Sequence, residues 1–129
     1  MVQLVLLLAA APAWAIDTRE CVRAASDPVA IASCEKDAQA RARQSMTASL
    51  LWLGNRMPPE QVTLLTETQA RWEAYFDLEQ RLLAASAGQR SDGLGAPLRE
   101  GLLTRLLEQR AATLKHLVVD VGRASPPAE

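Results

Sequence analysis

Leu65-Thr66-Glu67-Thr68-Gln69-Ala70-Arg71-Trp72-Glu73-Ala74-Tyr75-Phe76-Asp77-Leu78-Glu79 reads as helix, with Gln69, Trp72 and Tyr75 or Phe76 on one stripe. The same side extends outward through Val62, Leu65 and Leu83, so the periodic stretch runs to about Ala87. Pro58-Pro59-Glu60 opens it, because a proline in the first turn lacks an N–H that would have no helical acceptor there. Trp72 and Tyr75 are expected to anchor the interior. Gln69 beside them needs a hydrogen-bond partner if buried, and a neighbouring helix is the expected one.

On either side of this helix the pattern repeats. Asp27-Pro28 starts a second helix expected to reach Leu53, with Ile31, Cys34, Ala38, Ala42, Ser45, Ser49 and Leu53 on one face and Gly54-Asn55 as its stop. Gly88 to Pro97 carries Gly, Ser, Asp and Pro and reads as a loop. Leu98, Leu102, Leu106, Leu117 and Val121 then define a fourth helix. Before all of these, Asp17 and Glu20 have capping-box spacing for a short helix from about Thr18 to Ala25. No stretch alternates as a strand does. The expected fold is all-α: a small antiparallel bundle of three long helices plus a short N-terminal one, because short connections make neighbouring helices antiparallel.

Composition agrees with one such unit. The chain has 129 residues, room for a single core, and is 49% hydrophobic but only 4% aromatic, a vocabulary of Ala and Leu that favours helices. Basic and acidic residues number 14 and 15 and are mixed along the chain, so no like-charge block points to nucleic acid or a membrane surface.

Leu4 to Ala11 is a short apolar run followed by Ala13-Trp14-Ala15, which fits a signal peptide over residues 1–15 with cleavage after Ala15. No Lys or Arg precedes the run, and an uncleaved anchor is the alternative; at this length the run does not span a bilayer, which takes about 20 residues. The expected organisation is a helical domain over residues 16–121 and a disordered tail over 122–129, in a periplasmic or secreted protein. In such a compartment Cys21 and Cys34 are expected to pair, the alternative being two free buried thiols. No metal site or cofactor is expected, since two cysteines and the distant His116 lack zinc spacing.

Catalysis finds little footing. One histidine makes a hydrolytic triad improbable. Glu73 and Asp77, four apart, share a helix face as a pair of acid–base carboxylates would, but with Arg81 four residues on they read as an ion-pair ladder. No enzyme is expected. The acidic side of the third helix, Glu67, Glu73, Asp77 and Glu79, is the candidate surface for a protein partner, and Arg110 is expected to pair with Asp77 or Glu79. The run Leu50-Leu51-Trp52-Leu53 is too wide for one buried stripe, which raises self-association in the cell envelope as the alternative role.

The third helix also resembles the signature of the N-terminal domain of LprI-type lysozyme inhibitors, small exported bacterial proteins, which reads roughly Leu, three residues, Gln-x-x-Trp-x-x-Tyr-x-Asp-x-Glu. Leu65, Gln69, Trp72, Tyr75, Asp77 and Glu79 match it, Cys21 and Cys34 match an early cysteine pair, and Glu108, Arg110 and Leu114 match a late helix. The family usually has Arg where Phe76 stands and Cys where Gln80 stands, and an Asn and a Tyr are not evident near Arg43 and Met46. The resemblance implies a non-catalytic binding protein whose partner is a lysozyme.

Overall fold

A computed structural model describes residues 17–87 and 89–124. The expected leader, residues 1–15, lies outside them. Four helices follow in order: α1 (Thr18–Ala24), α2 (Pro28–Gly54), α3 (Pro59–Ala87) and α4 (Gly95–Ala124). Among the described residues there is no strand, and none of the helices is long and apolar enough to cross a membrane.

Local chemistry sets the helix starts. The Asp17 carboxylate accepts from the Arg19 N–H and that of Asp27 from the Ala30 N–H, each capping amides that the first turn leaves without partners. α4 begins at Gly95, three residues before the sequence pattern places it, because Pro97 still falls in the first turn where its missing N–H costs nothing. It also continues to Ala124, past the 121 boundary expected for the domain; residues 125–129 of the expected tail lie outside the described residues. A Cβ on buried Gly95 would stand 2.6 Å from the Ala87 carbonyl oxygen, so glycine is what lets α4 start against the end of α3.

α2 and α4 run side by side, α3 runs antiparallel to both, and the α2–α4 pair holds most of the core. α2 buries Ala32, Cys34, Ala38, Ala42, Met46, Ser49 and Leu53; α4 buries Leu103, Leu107, Ala111 and Leu114 with Glu100 and Thr104. Small residues on α2 let the two backbones approach closely. The buried stripe of α4 is offset by one position from Leu98, Leu102 and Leu106 because this helix serves two neighbours: Leu103 and Leu107 face the centre, while Leu106, Leu117 and Val121 are partly buried at the margin and Leu98 is exposed. α3 contributes only Leu65 and Phe76 as fully buried residues. The Leu50–Leu53 run is divided likewise: Leu53 is buried, Leu50 and Trp52 pack against the core, and Leu51 stays in water.

The Cys21–Cys34 disulfide joins α1 to α2 with a Cα–Cα distance of 5.7 Å. No residue of α1 is fully buried, so the disulfide and a hydrogen bond from Arg41 Nη2 to Thr18 Oγ1 hold it in place.

Candidate functional site

Two signature residues of α3, Gln69 and Trp72, lie with Glu73 where three helices meet. Arg43 of α2 donates through Nη1 to both carboxylate oxygens of Glu73, at 2.6 and 2.8 Å. Gln69 Nε2 donates to Glu73 Oε1 at 2.9 Å, and Gln69 Oε1 accepts from Arg110 Nε of α4 at 3.0 Å. Gln69 thereby joins α3 to α4, and Glu73 joins α3 to α2. The Arg43 guanidinium lies over the rings of Phe76 and Trp72, 4.9 and 5.6 Å from their centroids, and those rings stack on each other at 5.3 Å. Arg110 Nη2 is buried with no hydrogen-bond partner, and burial lowers the Arg110 pKa below its ordinary value while the charge of Glu73 opposes the shift.

Two expectations need correction. Arg110 meets Gln69, not Asp77 or Glu79: Asp77 lies eight residues further along α3, about 12 Å of helical rise away. Asp77 instead pairs with Arg81 at 3.3 Å. Nor does Tyr75 anchor the interior; it is 46% exposed, while the adjacent Phe76 is 3% exposed and occupies the inward position one turn beyond Trp72. Leu65 and Leu114 both lie in the core, and Trp72 packs against it. Glu108 is exposed beside α1 at the rim of a cavity of about 400 Å³.

Of the four acidic candidates, Glu73 is committed to Arg43 and Glu67 pairs with Arg71 at 2.7 Å. Glu79 lies beside Tyr75, whose phenol pKa is raised first by partial desolvation and then by the Glu79 charge and hydrogen bond. Glu73 and Asp77 thus each hold their own arginine.

Charge is nevertheless segregated by helix. α3 carries Glu60, Glu67, Glu73, Asp77 and Glu79 against Arg71 and Arg81, a formal charge of −3. α2, with Lys36, Arg41 and Arg43 against Glu35 and Asp37, is +1. α4, with Arg99, Arg105, Arg110, Lys115 and Arg123 against Glu100, Glu108 and Asp120, is +2. The outward side of α3 also leaves Tyr75, Leu78 and Leu82 exposed at helical spacing, bordered by Glu79, while the exposed Arg71–Glu67 pair separates them from Leu64 about three turns nearer the N-terminus.

Two participants were not singled out from the sequence. Arg43 shares helical spacing with Met46 and Leu50, which marks it as inward-facing. Glu100 heads the stripe Glu100, Leu103, Leu107, Ala111, Leu114 and is 6% exposed. The chain matches no protein-family model, no curated protein and no solved structure.

Proposed function

We propose that this chain is an exported, non-catalytic binding protein of the LprI-like type that docks a basic protein, a lysozyme being the partner class, through the outward side of α3. The observation that supports this reading is the coincidence on one helix of a −3 formal charge and an exposed apolar patch formed by Tyr75, Leu78 and Leu82. Apolar side chains in water supply the area a partner can bury, and the surrounding negative field steers a cation-rich surface toward it. The network of Arg43, Glu73, Gln69 and Arg110 fixes how α3 is presented. Self-association, the alternative, gains nothing from Leu50–Leu53, since only Leu51 of that run is exposed.

The test uses residues 16–129 and a panel of lysozymes, with binding and cell-wall hydrolysis measured together at low and high salt. The expected result is sub-micromolar binding that inhibits hydrolysis, weakens with salt, and falls about tenfold or more in a Leu78→Ser, Leu82→Ser double variant. Absence of binding across the panel, or full binding by the double variant, would overturn the proposal. A light-scattering mass that doubles with concentration would favour self-association instead.

A further inference from the structure

Between the C-terminal half of α3 and the α2–α4 pair lies an open groove of about 460 Å³. Its walls are Lys36 and Gln39 of α2 and Gln80 and Ala84 of α3; Arg99, Glu100 and Leu103 of α4 complete it. That volume suits a small molecule.

Glu100 gives the cavity its character. Its side chain is 8% exposed, and its Oε2 accepts from Gln39 Nε2 at 2.9 Å, a bond that ties α2 to α4 together with the Gln39 bond to the Glu100 carbonyl. Its Oε1 has a different partner: Arg99, the preceding residue, reaches over with Nε at 3.3 Å and Nη2 at 3.2 Å. These are long contacts for a charge-assisted pair, where about 2.7–2.9 Å is usual. The Arg99 side chain keeps 32% of its surface in water, so it bridges the buried carboxylate and the cavity mouth. Lys36 brings a second cation to the same cavity.

A largely buried carboxylate whose Oε1 is held only by long contacts, in a groove that two cations also line, is the complement of a molecule that carries one ammonium and one carboxylate. The geometry points to a binding site for a free α-amino acid. Its ammonium donates to Glu100 Oε1 in place of Arg99, and Arg99, released from that contact, joins Lys36 in holding the carboxylate. The zwitterion leaves the net charge of the site unchanged, and the buried Glu100 carboxylate keeps a cationic partner throughout the exchange. The carboxamides of Gln39 and Gln80 supply further polar contacts, and Ala84 and Leu103 favour a small apolar side chain. Nothing in this assignment depends on the α3 docking surface.

The experiment is an amide-resolved NMR titration of residues 16–129 with alanine, N-acetylalanine and alaninamide. Alanine is expected to shift the amides of Gln39, Gln80 and Arg99 saturably, with both blocked analogues at least about tenfold weaker. Lys36→Gln is expected to weaken alanine binding by a similar factor with unchanged thermal unfolding; Arg99→Gln gives a second reading at the other cation. No saturable shift up to about 20 mM alanine overturns the assignment, as does either analogue binding as well as alanine, or alanine binding that survives both substitutions.

Discussion

Replacing Glu73 by alanine tests the three-helix junction most directly. The substitution removes the two-pronged contact with Arg43, the acceptor for Gln69, and the carboxylate that offsets the burial of Arg110. About two-fifths of the Arg43 and Glu73 side chains faces water (40% and 42%), so the ion pair is discounted to about 1 kcal/mol. The Gln69 hydrogen bond to a charged acceptor adds about 0.5–1 kcal/mol, and the loss of compensation at Arg110 brings the total to about 2 kcal/mol. For a domain of this size each kcal/mol moves the melting temperature by about 4 °C, so a fall of about 8 °C is expected by calorimetry. A double-mutant cycle with Arg43→Ala should return a coupling of about 1 kcal/mol that shrinks in molar salt. A melting point lowered by less than about 2 °C, with the two substitutions additive, would refute the assignment of Glu73 as the link between α2 and α3.

Other perturbations separate the remaining contributions. Leu107→Ala, at a site 1% exposed between the two main helices, is expected to cost about 3–4 kcal/mol in denaturant unfolding. Gly95→Ala, although glycine to alanine usually stabilises a helix, should cost about 1–3 kcal/mol because the new Cβ meets the Ala87 carbonyl. Replacing both Cys21 and Cys34 by serine opens a loop closed across 13 positions and should cost about 2–3 kcal/mol, with hydrogen exchange rising first in α1, which buries no residue of its own. The Asp92 carboxyl is held at about 2, first by the Arg90 guanidinium and then by the Leu94 N–H. A depressed folded-state pKa gives a contribution complete above the unfolded value near 4 and lost as pH falls through about 2; carbon-detected titration should find it, and Arg90→Ala should return Asp92 toward 3.8.

The all-α fold and the identity of the helices are legible from spacing alone, because each helix pairs a capping or proline start with a three-to-four-residue apolar repeat. What spacing does not contain is azimuth and level. Tyr75 and Phe76 differ by 100° around α3, and only the positions of α2 and α4 decide that Phe76 turns inward. Arg110 lies level with Gln69 because of where the loop between α3 and α4 sets the register, and no feature of α3 or α4 taken separately reports it. α4 has apolar residues on more than one stripe, so its own pattern does not single out the buried face. Glu100 in the core and the acidic bias of α3 against basic α2 and α4 were both present in the sequence. The helix-by-helix bias is masked by a net charge of −1 taken over the whole chain.

The core belongs to the first and last of the long helices, and this bears on when the chain can acquire structure at all. α2 and α4 each bury seven residues, while α3 between them buries two. A nascent chain that has emerged only as far as Ala87 therefore holds one side of an interface whose other side does not yet exist. Closing it spans the whole of α3, and the entropy of that closure is met only once Leu103, Leu107 and Leu114 are available to meet Ala42, Met46 and Leu53. Folding of this bundle is thus deferred until α4 has been made. A fragment lacking α4 would be a soft, protease-sensitive hairpin, and the bundle stays open until α4 has followed.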